Sequence, residues 1–167
     1  MMAKAMRAAM LVGLCLTALS ACTESFDLSL TYSPQAKPTS ALVIDNAAGA
    51  VRLRRTGAGG TISGTVKIRA SGFDNKSQAK AAAEQVEIVE HLNGGELVLS
   101  VQIPPGSRNK IFAVTFDLLV PEDLTVSSFT DTGRVNINGL TVAEVDTTLG
   151  EVELAFTRSP IDAMTVV

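Results

Sequence analysis

One of the chain's two cysteines sits where a thiol has chemistry to do. Cys22 follows Leu19-Ser20-Ala21. Ser20 and Ala21 are small enough for a tight protease pocket, Leu19 supplies an apolar anchor, and Cys22 presents a thiol for acyl transfer. The spacing predicts cleavage between Ala21 and Cys22. Upstream lie the parts such processing needs. Lys4 and Arg7 form a short positive region, with no acidic residue before Glu24. The apolar run Met10-Leu11-Val12-Gly13-Leu14-Cys15-Leu16 has the length of a signal-peptide core and is short for a bilayer-spanning helix.

The other candidates are weaker. His91 is the single histidine, and it reads as an exposed strand residue rather than a base. No zinc-ligand spacing accompanies it. Gly57-Ala58-Gly59-Gly60 lacks the Lys-Ser/Thr and the helix that cradle phosphate, so it reads as a turn. No nucleophile elbow is present. Asp45, Asp131 and Asp146 stand near the ends of similar segments. Stacked carboxylates bind calcium in Gly- and Asp-rich β-rolls, but that dense spacing is missing and polar turn chemistry is expected. Glu122-Asp123 reads as a solvated turn. Arg52, Arg54 and Arg55 come nearest to a basic patch, either a solvated strand face or a contact for phosphate-bearing headgroups. The expectation is no catalysis, no cofactor and no metal.

Leu19-Ser20-Ala21-Cys22 resembles the lipobox of bacterial lipoproteins. The resemblance implies a signal peptide over residues 1–21 and a lipid-bearing Cys22, with a diacylglycerol thioether and an N-acyl chain such as palmitate. Each buried CH₂ adds about 0.8 kcal/mol, and two or more chains hold a protein on a membrane. Thr23, where Asp would imply inner-membrane retention, implies the outer membrane. Residues 22–25 would be the lipidated cysteine and a short tether, and 26–167 one domain.

Without residues 1–21 the chain keeps 12 of its 14 basic residues and all 17 acidic ones, a net charge near −5. Nucleic-acid partners usually require a basic face, so none is expected. Cys15 leaves with the signal, so the domain has no internal disulfide. With no Trp and one Tyr, stacking platforms for sugars or bases are not expected.

Most of the remaining chain alternates in the manner of strands. Segments 26–32, 41–45, 50–54, 61–70, 96–101 and 111–120 qualify, with a return of the chain at Asn46-Ala47-Ala48-Gly49. Residues 75–84 are rich in helix formers, with Asp74 or Asn75 as N-cap. Residues 85–92 read as a strand rather than a helical extension, because Asn93-Gly94-Gly95 suits a hairpin turn.

An internal repeat closes the chain. Thr130-Asp131-Thr132-Gly133-Arg134-Val135-Asn136-Ile137 aligns with Thr147-Thr148-Leu149-Gly150-Glu151-Val152-Glu153-Leu154, and Asn46-Ala47-Ala48-Gly49-Ala50-Val51-Arg52-Leu53 is a weaker copy. Units this short cannot bury their own faces and should stack. The expected fold is mainly β, a β-solenoid-like or rolled β-sheet repeat domain with one short α-helix. Together with Phe116-Asp117-Leu118-Leu119-Val120-Pro121, these segments resemble the bacterial putative-adhesin family over roughly residues 40–167. That resemblance implies an envelope protein with a Gly-punctuated β-repeat head, without established catalytic residues. Family members usually continue through more repeats. Here Ile161 to Val167 reads as the start of another strand, an apolar edge that predicts self-association through residues 161–167.

These readings favour a lipid-anchored envelope protein that presents a β-repeat surface for binding or adhesion to a protein or envelope glycan. The alternative is an envelope-stress or signalling accessory lipoprotein that binds a membrane partner. A polysaccharide-active enzyme ranks third, since no carboxylate stands out for it.

Overall fold

The computed structural model describes residues 23–107, 109–156 and 165–166. Its elements are β1 (Glu24–Tyr32), β2 (Ala41–Ala48), β3 (Val51–Thr56), β4 (Ser63–Phe73), α1 (Lys76–Ala83), β5 (Glu87–Asn93), β6 (Glu96–Gln102), β7 (Ile111–Pro121), β8 (Thr125–Asn138), β9 (Thr141–Ala155) and β10 (Thr165–Val166). The strands follow the alternation in the sequence. In β7, Phe112, Val114, Phe116, Leu118 and Val120 all point inward. The helix is short but well started, since the Asn75 side chain accepts the Gln78 N–H at 2.9 Å. Its buried residues are Ala79 and Ala83, whose small size lets α1 lie close on β1 and β4. Residues 87–93 are strand, joined to β6 through Gly94 and Gly95, both at positive φ.

The strands form one mixed sheet, strongly curled into an open half-barrel, in the order β1-β4-β7-β3-β8-β2-β6-β5. β9 adds to β8, and β10 to β9. The pairs β1–β4, β4–β7 and β5–β6 are antiparallel, and the others are parallel. The concave face holds a single core, with Phe116, Leu42, Ile44, Leu53 and Ile68 among its fully buried side chains. The rolled β-sheet expectation therefore holds.

Two local readings change. The chain does not return on itself at Gly49. β2 pairs with β6 and β8, while β3 pairs with β7 and β8. Both run parallel to β8, β2 along Thr125–Thr132 and β3 along Val135–Asn138. Gly49 is thus a corner in a strand that keeps its course, where a hairpin would need antiparallel neighbours. In addition, β8 begins at Thr125, ahead of the repeat segment that starts at Thr130. Ser128 occupies an inward position in line with Val126 and Thr130, which hid the alternation.

Candidate functional site

The three repeat copies lie side by side, row on row. Asn46 pairs with Thr130 and Thr130 with Thr147; Val51 pairs with Val135 and Val135 with Val152; Leu53, Ile137 and Leu154 line up likewise. The glycines fall at the corner of each copy, and Gly133 pairs with Gly150. Gly49 has φ +118 and Gly133 φ +151, a region that side chains rarely adopt. A Cβ on Gly49 would overlap the Val114 carbonyl, one on Gly133 the Gly49 carbonyl, and one on Gly150 the Gly133 carbonyl. The column is therefore a stack of close backbone contacts, each carbonyl facing the next glycine.

A polar column runs inside the corner. Asn46, Ser128 and Thr130 are buried among apolar neighbours. The Asn46 Nδ2 donates to the Val114 carbonyl at 2.9 Å. Among the described residues, Asn46 Oδ1 and the hydroxyls of Ser128, Thr130 and Thr147 find no hydrogen-bond partner. Burying such groups costs about 1–3 kcal/mol each where they stay unsatisfied. Register tolerates this because a one-residue slip would turn the whole apolar face outward.

On the convex face, Asp45, Asp131 and Asp146 lie around a shallow depression of about 110 Å³. Phe129 lies between Asp45 and Asp146 in the register, and Ala47 and Thr148 complete the rim. Among the described residues, no three His, Cys, Asp or Glu side chains are grouped closely enough to hold a metal ion. Further along, Arg134 pairs with Glu151, and the Asn136 amide donates to Glu153 at 2.6 Å.

The arginine patch is broken up. Arg54 binds Asp117 at 2.8 Å and Arg55 binds Glu122 at 3.0 Å, so two of the three charges are met by neighbouring carboxylates. Glu122, in the turn after β7, thus has its partner on β3. Exposed ion pairs of this kind are worth about 0–1 kcal/mol each. His91 is exposed on β5, opposite Val98 on β6. Gly57 to Gly60 form an exposed turn. Ala21 and Cys22 lie outside the described residues, as do residues 161–164 and 167. Thr165 and Val166 pair in parallel with Glu144 and Val145 of β9. Among the described residues, no helix is long and apolar enough to cross a membrane.

One arrangement escaped the sequence reading. β1 and β5 are the two ends of the eight-strand path, and a side-chain clasp joins them. The Tyr32 hydroxyl donates to Glu90 Oε1 at 2.9 Å. The backbone N–H groups of Gln35 and Ala36 donate to Glu90 Oε2 at 3.0 and 3.2 Å. Glu90 sits in line with Ile88 on the inward side of β5, and a carboxylate at an apolar position was the available signal.

Burial, then the hydrogen bond and charge of Glu90, push the Tyr32 phenol well above its ordinary value. A raised folded-state pKa means that folding holds the proton. The stability this contributes is whole below about pH 10, where the free phenol titrates, and is lost as pH rises through the folded-state value. Phenolate absorbance from this single tyrosine should therefore appear only at a pH above that of the urea-unfolded chain. Tyr32→Phe should cost about 1 kcal/mol, one half-exposed hydrogen bond to a carboxylate, and should remove this alkaline loss. Coincident folded and unfolded titrations would show that the clasp is open in solution.

No family model matches the chain, and no curated protein matches it in sequence. Among solved structures, it is similar to a "putative cell adhesion protein" from Clostridium sporogenes over 86% of this chain and 66% of that one. Identity is 9% and the TM-score is 0.43, a likeness too slight to carry an argument.

Proposed function

We propose that the chain is a binding module of the cell envelope, lipid-anchored at Cys22, that presents its stacked β-repeats to a partner close to the membrane. The repeat stack carries this reading. Three Gly-cornered copies in one parallel register build a broad convex surface from only short segments. Nothing in that construction concentrates a reactive group, and its exposed rows instead offer alternating charges, amides and hydroxyls suited to recognition.

The anchor rests on the sequence. Leu19-Ser20-Ala21-Cys22 sits directly behind the apolar run, as lipidation requires. β1 begins at Glu24, so a single residue, Thr23, would separate the acylated cysteine from the sheet. A tether that short would hold β1 at the headgroup level and favour a membrane-proximal partner, in the outer membrane by the residue after the cysteine.

Metabolic labelling with a palmitate analogue tests the anchor. Label should enter the wild-type chain and be absent from Cys22→Ser, and that variant should leave the membrane fraction. Label retained by Cys22→Ser would overturn the lipoprotein reading. Limited proteolysis of intact cells then separates surface presentation, where the repeats are cut, from a periplasmic placement, where they are protected.

A further inference from the structure

The convex side of the sheet divides at the corner. Before it lie β2, the β5–β6 hairpin, and β8 and β9 as far as Asp131 and Thr148. No lysine or arginine occurs in residues 41–48, 87–102, 125–131 or 141–148. The register brings Val89, Ser100, Asp45, Phe129 and Asp146 into one row across this side. The adjoining row holds Val98 opposite Val43. Val43, Val98 and Phe129 face outward and are half-buried, and Val89 is 37% exposed. Exposed carboxylates edge this apolar strip, Glu87 and Glu96 on the hairpin and Asp45, Asp131 and Asp146 around the depression. Among the described residues, none of these five is in an ion pair. Elsewhere on the sheet, Arg54, Arg69 and Arg134 each stand beside a carboxylate.

We propose that this face docks a basic amphipathic helix of a partner protein, with an arginine seated at Phe129 between Asp45 and Asp146. The proposal rests on the binding reading above and gives that partner a place and a chemistry. Charge sets its sign. Complementary potentials steer and select partners, and five carboxylates without a local cation call for lysine or arginine. A second copy of this face, or an anionic bilayer, would set acid against acid. The strip sets its pattern, since interfaces put apolar side chains at the centre and polar ones at the rim. The face also sets its backbone. Unlike a sheet edge, a sheet face has no main-chain groups to lend, so the occupant must satisfy its own, as a helix does. The depression sets the anchor. Strands about 4.8 Å apart place Asp45 and Asp146 about 10 Å from one another across Phe129. Asp131 stands two residues further along β8. A planar guanidinium can stack on the ring while its edges donate to these carboxylates, whereas an ammonium is a compact point charge.

Fluorescein-labelled helical peptides test this against the full chain by anisotropy. The first has a leucine stripe bordered by arginines. The second has lysine for each arginine, and the third glutamate. The arginine peptide should bind, the lysine peptide several-fold more weakly, and the glutamate peptide not at all. High salt should weaken the binding. Asp45→Asn combined with Asp131→Asn should weaken the arginine peptide about tenfold or more. Glu151→Gln combined with Glu153→Gln removes the same charge past the corner and should change binding by less than about twofold. Phe129→Leu should bring the arginine peptide down to the level of the lysine peptide. Bound arginine peptide should slow amide exchange within residues 43–47 and 127–131. Equal losses in the two double variants, equal binding of arginine and lysine peptides, or no binding by either would each overturn the proposal. Protection confined to residues past the corner would overturn this placement and leave the binding reading intact. Failure of Cys22 labelling would leave these results untouched, and failure here would leave the anchor standing.

Discussion

Gly133→Val should destabilise the domain by about 3–5 kcal/mol, a large share of the 5–15 kcal/mol that folded domains typically possess. Two effects add. The residue sits at φ +151, and holding a side chain in a sparsely populated backbone region costs about 1–3 kcal/mol. The new Cβ would also overlap the Gly49 carbonyl, which belongs to backbone and cannot rotate away. Overpacking of this kind costs about 1–3 kcal/mol more. The neighbouring strand cannot yield freely, because the Gly49 N–H is bonded to the Thr132 carbonyl at 2.9 Å. Urea unfolding followed by circular dichroism measures the loss. Gly57→Ala is the control. A methyl at Gly57 meets nothing within 4 Å and its φ is ordinary, so that change should be neutral or stabilising by about 0.4–1 kcal/mol. Similar midpoints for the two variants would mean that the stacked corner does not exist.

Phe116→Ala should cost about 3–5 kcal/mol, the usual range for emptying a fully buried aromatic site. Phe116 is 0% exposed and heads the buried side chains by size. Its position adds a structural reason. β7 pairs antiparallel with β4, placing Phe116 opposite Val66, and parallel with β3, placing it opposite Val51. The ring therefore fills the seam where the antiparallel group of β1, β4 and β7 meets the repeat stack. Phe116→Leu keeps most of the volume and should cost less, about 1.5 kcal/mol. Denaturant midpoints of the two variants check this. A Phe116→Ala loss no greater than that of Phe116→Leu would mean that the seam relaxes around the hole.

Much of this fold is legible in the sequence because its signals are local. Alternation in residues 111–120 marks β7, Asn75 and the alanines mark α1, and Asn93-Gly94-Gly95 marks the β5–β6 turn. The repeat alignment reads still further. Residues aligned on paper, such as Thr130 with Thr147 and Val135 with Val152, are paired neighbours in the sheet. What failed depends on partners far along the chain. A glycine after a strand looks the same whether the chain reverses or only bends, and Gly49 is decided by β8, some eighty residues later. The buried Ser128 broke the apolar alternation that would have announced the start of β8. The candidate site divides likewise. Asp45 and Asp146 occupy matching repeat positions and Asp131 does not, and all three line one depression that the sequence read only as polar turns. The Tyr32–Glu90 clasp joins segments related by no repeat or local signal. Arg54 and Arg55 looked like a patch because Asp117 and Glu122, their counter-charges, are more than sixty residues away.

The corner strand also sets a timetable. β2 and β3 enter the sheet between strands that come much later, and Leu42 pairs with Val126 while Leu53 pairs with Ile137. Until β8 has emerged, the early strands lack the neighbours that complete their main-chain bonding. Non-local pairings of this sort close slowly, because the long intervening loop must be ordered before any contact rewards it. A chain so arranged should stay unfolded for most of its synthesis. A polypeptide threaded through a membrane channel needs that state, so under the proposed envelope placement the wiring of the sheet would keep the domain fit for export until nearly all of it had crossed.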